Sequence, residues 1–352
     1  MVTSTTVESW NSQQTDETAG DAQVVSVETM AVRSVPTHTS AAQEVDPEFD
    51  YGPAQISAAD LIRGKRLGSG GQGSVYSARI RDQSVIPGKP RDVALKIVDT
   101  NHATSKARRN AFREFTLHRR ISGHPNISTF YGGFETTGWS FRAYLMSELL
   151  AGGDLWALTK RYANGIPQRS ALQICAQVAC ALQHMHALGI AHCDVKLENV
   201  ILQEPFTEHG TNISKLVDFG FATEFTTARQ QSTRVRIHGG TACYQSPEAL
   251  LNLRMDPRKL DVYSLGVLMC ELLSGSRPFR VPSTEVSNRQ AHLRARMETD
   301  LELDFFSSEQ WDNVADDIQD FICKLLDEDP LERPSAQEAF EALRTFHTID
   351  NG

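Results

Sequence analysis

The residues best suited to chemistry lie in one short segment, 192–199, which reads HCDVKLEN. Asp194 is followed five positions later by Asn199, so one loop can supply both a proton acceptor and a neutral oxygen ligand for a hard cation. Asp218, nineteen positions after Asn199 in a DFG turn, adds a charged oxygen for the same cation. Because Mg²⁺ binds through one or two protein oxygens together with substrate phosphates, these two donors suffice for a magnesium–phosphate site.

A glycine-rich stretch offers a place for those phosphates. Residues 68–75 read GSGGQGSV, with the spacing Gly-x-Gly-x-x-Gly-x-Val. Glycines let backbone N–H groups approach phosphate oxygens without obstruction by side chains, but the same spacing also occurs in ordinary hairpin turns. The flanking segments predict strand–turn–strand, which disfavours a dinucleotide site because that site needs strand–turn–helix.

Lys96 lies in the apolar segment 93–98, which is predicted to be a strand. An unpaired buried ammonium group is costly, so a buried Lys96 would require an anionic partner. The alternative is a lysine at a strand edge whose side chain reaches solvent. The residues by themselves leave both interpretations open.

The four motifs, in this order along the chain, resemble those of eukaryotic protein kinases: the glycine-rich stretch, VALK around Lys96, HCDVKLEN and DFG. The resemblance implies an α+β, bilobal fold, with a small antiparallel-sheet lobe carrying one main helix (about 60–150) and a larger, mainly helical lobe (about 151–346). It also implies transfer of the γ-phosphoryl of ATP to Ser/Thr hydroxyls of proteins, with ATP and Mg²⁺ as cofactors. Lys196, two residues after Asp194, is typical of the serine/threonine members.

The resemblance assigns roles to individual residues. Asp194 would accept or orient the substrate hydroxyl proton, and Lys196 would neutralise phosphoryl charge. Glu114 is the expected partner of Lys96, because it is the only carboxylate among the charged residues of 106–120. The implied catalytic residues are Asp194, Lys196, Lys96, Glu114 and Thr241; the metal ligands are Asn199 and Asp218; and the nucleotide-binding residues are Leu67, Gly68, Ser69, Gly70, Gly71, Gln72, Gly73, Val75, Ala94, Lys96, Glu148, Leu150 and Asp154.

Three further residues match scaffold positions of the same family. Glu248, at the end of the segment GTACYQSPE (240–248), would form a buried ion pair with Arg333. Asp261 would anchor the catalytic loop from below.

Cys193 departs from the family pattern. Most members carry an arginine there, which pairs with a phosphate on the activation loop, and a thiol cannot act as a bidentate cation. We therefore expect activity that does not depend strictly on phosphorylation of the activation loop, between Phe221 and Gln245. An inert thiol is the simpler interpretation of Cys193, and a redox role is the alternative. The available phosphoacceptors in the loop are Thr226, Thr227, Ser232 and Thr233.

His118, four residues after Glu114, is the second departure. Family members usually place an apolar residue there, packed against Phe219 and His192. We expect a neutral, packed imidazole, with pH sensitivity as the alternative.

Three acids, Asp154, Glu198 and Glu271, line up with positions that bind basic residues upstream of the acceptor in arginine-directed kinases. They predict a preference for protein substrates with an upstream Arg. Each has another interpretation on its own: Asp154 also fits a ribose ligand, and Glu271 a structural pair. Phe221, directly after Gly220, resembles members that prefer serine to threonine.

Apolar periodicity predicts the elements that must position these residues. A helix capped by Thr104 or Ser105 should follow the third strand. Strands are predicted at 61–67, 75–80, 93–98, 129–134 and 141–150. Further helices are predicted at 171–188, 261–274, 314–326 and 331–346, the last of them broken near its start by Pro334.

Composition bounds the class of protein. The chain has 352 residues and is 40% hydrophobic, enough for a sizeable core. Residues 1–55 are acidic and rich in Ser, Thr and Gln, so we expect a disordered tail before a domain at 56–346 and a short tail at 347–352.

The same composition sets expectations for compartment and partners. Six cysteines without metal or disulfide spacing favour a reducing compartment, so the cytoplasm is expected, with the nucleus as the alternative. No basic tract predicts nucleic-acid binding and no apolar run predicts a membrane span, while the oligomeric state stays open. A pseudokinase that binds nucleotide or partners without turnover is the competing class; only Cys193 and His118 favour it.

Overall fold

The computed structural model describes residues 56–82, 88, 90–100, 105–136, 141–225, 234–312 and 314–349. Its amino-terminal lobe is an antiparallel five-stranded sheet in the order β1-β2-β3-β5-β4. The strands are β1 (Leu61–Gly70), β2 (Gly73–Ile80), β3 (Asp92–Asp99), β4 (Phe130–Thr136) and β5 (Arg142–Glu148).

Alternation along β3 explains why Lys96 faces the cleft. Val93 and Leu95 are buried in one apolar cluster of the sheet. Since neighbouring residues in a strand point to opposite faces, Ala94 and Lys96 share the other face. Val75 of β2 is the cross-strand partner of Lys96, so its side chain lies on that face too.

One main helix, α1 (Lys106–Ile121), packs on the sheet. The Ser105 hydroxyl accepts a hydrogen bond from the Arg108 amide at 3.1 Å, which confirms Ser105 as the helix cap. Ala111 and Phe115 bury one stripe against the sheet. The end of the helix, at Ile121, joins the core of the larger lobe.

The larger lobe is helical and is built around α5 (Pro257–Ser274), most of whose residues are buried. Two small antiparallel pairs support its loops: β6 (Ile190–Ala191) with β9 (Thr223–Glu224), and β7 (Val200–Leu202) with β8 (Ser214–Leu216). Short 3₁₀ turns occupy Ala58–Asp60, Leu197–Asn199, Ala242–Tyr244 and Glu309–Trp311, and a π-helical turn occupies Leu301–Phe305. The longer elements are α2 (Leu155–Thr159), α3 (Gln168–Ala187), β6 (Ile190–Ala191), β7 (Val200–Leu202), β8 (Ser214–Leu216), β9 (Thr223–Glu224), α4 (Pro247–Leu250), α5 (Pro257–Ser274), α6 (Arg289–Glu298), α7 (Asp316–Leu325) and α8 (Ala336–Ile349).

The expected bilobal α+β fold is confirmed, but the predicted helix starts are shifted: α3 begins at Gln168 rather than at 171, α7 begins at Asp316 rather than at 314, and two other starts differ by four or more residues. The last helix begins at Ala336 rather than at 331, because Ser335 and Glu338 form a reciprocal capping box after Pro334. The helix predicted from 261 begins four residues earlier, at Pro257, where Asp256 caps the first turn. Within the described ranges, no helix has both the length and the apolar character that a bilayer span requires.

The predicted pair of Glu248 and Arg333 ties the α4 region to the segment before α8. Two parallel contacts, Nη1 to Oε1 at 2.6 Å and Nη2 to Oε2 at 3.0 Å, make the pair bidentate. The guanidinium is fully buried. Removing one partner would leave a buried, uncompensated charge.

We predict that Arg333→Met lowers the free energy of unfolding by about 3–5 kcal/mol, because Glu248 then stays buried without its cation. Arg79→Met provides the matched control, since Arg79 and Asp92 form an ion pair that is about half exposed. That control should cost less than about 1 kcal/mol. Denaturant unfolding measures both, and equal losses would contradict the assignment of Arg333 as a structural residue.

Candidate active site

The glycine-rich stretch forms the hairpin between β1 and β2, with Gly70 paired to Gly73 across the turn. Gly73 has φ +125°, and a Cβ there would lie 2.5 Å from the Ile97 carbonyl oxygen, so only glycine fits. At Gly68, Gly70 and Gly71, a Cβ would meet nothing within 4 Å. The backbone therefore borders open space, which suits the phosphates of a nucleotide.

Lys96 forms a buried ion triad with Glu114 and Asp218. Its Nζ lies 2.7 and 2.8 Å from the two Glu114 oxygens and 2.7 Å from Asp218 Oδ1. Burial acts to lower the pKa of Lys96, but the two carboxylates outweigh it and raise that pKa above its usual range. Lys96 thus stays cationic, and it links β3, α1 and the DFG turn.

The catalytic loop holds Asp194 through both carboxylate oxygens. Oδ1 accepts hydrogen bonds from the Thr241 amide and hydroxyl, each at 2.8 Å. Oδ2 accepts from Lys196 Nζ at 2.7 Å and from Asn199 Nδ2 at 3.1 Å. Lys196 also donates to the Thr241 hydroxyl at 2.9 Å, so these side chains form one network.

Asn199 and Asp218 suit a hard cation. The Asn199 amide nitrogen donates to the carbonyl and carboxylate oxygens of Asp194, which leaves its own oxygen for another partner. Asp218 is partly exposed; burial acts to raise its pKa, but Lys96 lowers that pKa on balance and keeps the carboxylate charged. No group of three or more His, Cys, Asp or Glu in the described part of the chain can hold a metal by itself. A cation here would need phosphate oxygens as well, as Mg²⁺ commonly does.

Asp261 anchors the loop from below, as expected. Its fully buried carboxylate accepts from the backbone amides of His192 at 2.8 Å and Cys193 at 2.7 Å. It also accepts from His186 Nε2 at 2.8 Å. Cys193 has φ +63°, a left-handed conformation that costs free energy in a non-glycine residue and must be held by its surroundings.

A column of four rings joins α1 to the catalytic loop. The ring centroid of His118 lies 4.8 Å from that of Phe130 and 4.5 Å from that of Phe219. Phe219 lies 5.3 Å from His192. His118 Nε2 donates to the Ser128 carbonyl at 2.8 Å. The ring contacts confirm the expected packed imidazole, and burial, which lowers the pKa of His118 from 6.5 to about 4, favours its neutral form.

Cys193 lies at the base of an apolar cluster and not in a cationic pocket. Burial raises the pKa of its thiol well above the usual value, which supports the inert-thiol interpretation. The four loop phosphoacceptors named above lie outside the described residues. The cluster contains Ala191, Cys193, Phe225, Ile237, Ala249, Met255 and Leu260, with Phe221 and Val235 packed on it.

The remaining nucleotide-site residues lie along the cleft side of the sheet and just beyond it. Leu67 is about half exposed, at 51%, in the strand before the hairpin. The Glu148 side chain turns away to Lys215, at 2.9 and 2.8 Å, so only its backbone can serve a nucleotide. Leu150 follows two residues after the end of β5 and is partly buried.

The three acids expected to bind substrate arginine differ in availability. Asp154 caps α2 by accepting from the Ala157 amide at 2.7 Å. Glu271 is buried and paired with Arg277 at 2.7 Å, which favours its structural alternative. Glu198 is exposed, and no ion pair involves it within the described residues.

Two contacts at the site were missed from the sequence. The Gln72 side chain lies against Gly220, where a Cβ would be 1.7 Å from its oxygen. Arg113 Nη2 donates to the Gly220 carbonyl at 2.9 Å. Nothing in the sequence distinguishes Arg113 from the other basic residues of α1.

We predict that His118→Leu reduces the acid sensitivity of folding. The folded protein resists protonation of His118, so stability is unaffected above pH 6.5 and falls as the pH drops toward about 4. The lost stability amounts to about 3 kcal/mol. Denaturant unfolding from pH 7 to pH 4 should show a shallower loss in His118→Leu, whereas His209→Leu, at an exposed position, should follow the wild type. Identical pH profiles for all three proteins would contradict the buried, neutral state.

Known proteins with similar sequences include several protein kinases. Residues 61–343 match the family described as the protein kinase domain. Aurora kinase of Saccharomyces cerevisiae is 31% identical over 79% of this chain and 67% of its own length. Serine/threonine-protein kinase ATG1a of Arabidopsis thaliana is 30% identical over 80% of this chain and 41% of its own length. CBL-interacting protein kinase 4 of Oryza sativa subsp. japonica is 31% identical over 81% of this chain and 56% of its own length. This chain spans about two thirds or less of the length of these relatives. The protein kinase domain, however, matches most of this chain, at residues 61–343, so the chain belongs to the protein kinase family.

Proposed function

We propose that the chain is a serine/threonine protein kinase that transfers the γ-phosphoryl of ATP to Ser/Thr hydroxyls of protein substrates. The observation that carries the proposal is the Asp194 network, in which Thr241, Lys196 and Asn199 hold both carboxylate oxygens. A carboxylate fixed in this way can orient a hydroxyl nucleophile and accept its proton. One of the relatives named above, ATG1a of Arabidopsis thaliana, is named a serine/threonine-protein kinase, which supports this acceptor class.

Positive charge on both sides of the cleft suits the transferred phosphoryl. Lys96 belongs to the sheet lobe and Lys196 to the catalytic loop, and each is paired with carboxylates that fix its position. Asn199 and Asp218 would hold Mg²⁺. The bound metal would neutralise charge on the phosphates, while the protein groups position the hydroxyl and the nucleotide.

In this proposal, Glu198 is the residue that binds a substrate arginine upstream of the phosphoacceptor. Its carboxylate is exposed beside the catalytic loop, whereas Asp154 and Glu271 already have internal partners. A single exposed carboxylate supports a modest preference, because an exposed ion pair contributes at most about 1 kcal/mol. The serine preference inferred from Phe221 belongs to the same proposal.

Control of the enzyme would rest on apolar packing rather than on a loop phosphate. Ile237, at the end of the activation loop, is buried in the Cys193 cluster. Next to it, Val235 and Met255 form a two-way backbone bridge, with N–O distances of 2.8 and 2.9 Å. These contacts hold the end of the loop without a phosphate, which supports activity that does not strictly require phosphorylation.

The first test is Asp194→Asn. Wild-type protein with Mg·ATP should phosphorylate itself or a Ser/Thr protein, and the variant should lose roughly 10²–10⁴-fold in rate because its amide cannot accept the proton. Thermal shift with Mg·ATP should persist in both proteins, and Arg79→Met should retain full turnover. Nucleotide binding without turnover by the wild type would instead favour a pseudokinase.

The second test concerns the loop. Replacement of Thr226, Thr227, Ser232 and Thr233 by Ala should leave at least about half of the wild-type activity. Ile237→Asp should abolish most of it, because a buried carboxylate without a partner costs several kcal/mol. Loss of activity in the fourfold Ala protein, with its melting temperature unchanged, would refute phosphate-independent control.

A further inference from the structure

An arginine of the chain itself, Arg277, forms an ion pair with the buried carboxylate of Glu271 beside the catalytic loop. Arg277 Nε donates to Glu271 Oε1 at 2.7 Å. The other carboxylate oxygen accepts from the Tyr244 hydroxyl. The guanidinium carbon also lies 5.6 Å from the centre of the Tyr244 ring, within the range of a cation–π contact. Both carboxylate oxygens of Glu271 therefore have hydrogen-bond partners inside the protein.

This cluster lies beside the groups that would carry out phosphoryl transfer. The Tyr244 hydroxyl accepts from the amide of Leu197, three residues after Asp194, at 3.4 Å. Tyr244 also follows Thr241, which holds Asp194, by one short 3₁₀ turn. Glu198 directly follows Leu197, so the Tyr244 hydroxyl links the backbone beside Glu198 to the carboxylate of Glu271. Two carboxylates thus lie next to the catalytic loop, one exposed and one covered by Arg277.

The chain fixes Arg277 in this place before any peptide binds. Helix α5 ends at Ser274, and Gly275 reverses the chain with φ +69°. A Cβ at Gly275 would lie 2.4 Å from the Ala163 carbonyl oxygen, so the turn has little freedom. Arg277 therefore returns over Glu271, six residues earlier. A tethered group at such short range competes at an effective concentration of about millimolar or more, which an arginine of a dilute substrate does not match.

We propose that Arg277 is a specificity-determining residue: by occupying Glu271, it removes the acidic contact that a basic substrate side chain would otherwise use. The inference rests on the proposed protein kinase function and deepens its substrate selection. The enzyme with Arg277 in place discriminates weakly for arginine, through exposed Glu198 alone. Without Arg277, Glu198 and Glu271 together form a doubly acidic subsite for a guanidinium group.

The test is a positional peptide library assayed with Arg277→Ala. A charge-assisted contact to a partly buried carboxylate corresponds to about a tenfold or larger change in rate. We expect kcat/KM for Arg relative to Ala to rise by about that factor at one position near the acceptor, and to rise less in Arg277→Lys. In Arg277→Ala/Glu271→Gln the gain should disappear, because Gln still accepts from Tyr244 but carries no charge. Turnover of a peptide without basic residues is the reference that tests the kinase proposal separately.

A second measurement does not depend on turnover. Methylguanidinium should raise the melting temperature of Arg277→Ala by filling the vacated contact, and should have no such effect on the wild type or the double variant. The inference is overturned if Arg277→Ala keeps the wild-type Arg/Ala ratio at every position while it phosphorylates the reference peptide. It is equally overturned if Glu271→Gln alone removes an arginine preference from the wild type.

Discussion

The buried carboxylate of Asp261 is the contact on which the catalytic loop depends. It has no access to water, yet it remains favourable because two backbone amides and one imidazole donate to it. Those amides belong to His192 and Cys193, the latter in a left-handed conformation. Without this anion the loop would relax to an ordinary backbone conformation, and Asp194, the next residue, would lose its direction. The position of Asp194 thus depends on Asp261, a carboxylate in helix α5 of the larger lobe.

A second set of contacts connects this loop to the smaller lobe. The His192 ring packs on Phe219, Phe219 packs on His118, and His118 belongs to α1, the helix that carries Glu114. The same helix reaches the DFG turn directly, through Arg113 and the Gly220 carbonyl. Because Lys96 requires both Glu114 and Asp218 within 3 Å, a shift of α1 would break the ion triad and the ring column together. The lobes are therefore coupled at the point where nucleotide and metal would bind.

Sequence alone predicted the parts of this arrangement that local pattern encodes. Apolar pattern predicted the strand that carries Lys96, the single acid of α1 identified its partner, and short motifs located Asp194, Asn199 and Asp218. Helix starts were missed where capping outweighed apolar periodicity, as at Asp256 and Ser335. Contacts between distant residues of common type were also missed. Arg113 and Arg277 look like any surface arginine until the fold shows what each one covers.

Cys193 and Arg277 affect the charge of the site in opposite ways, since the first lacks a cation and the second supplies one. The physical result is the same. At Cys193 a thiol stands where the family resemblance leads one to expect a cation, and it packs in an apolar cluster with Ile237 and Met255. Arg277 is a cation that forms an ion pair with Glu271 inside the protein. In the functions proposed above, each of the two residues replaces a contact to an external charged group with a contact inside the protein. Internal partners are tethered and already ordered, so they hold against dilute competitors with little further loss of entropy. We therefore infer a site whose active geometry depends more on its own packing than on modification or on charge in the substrate.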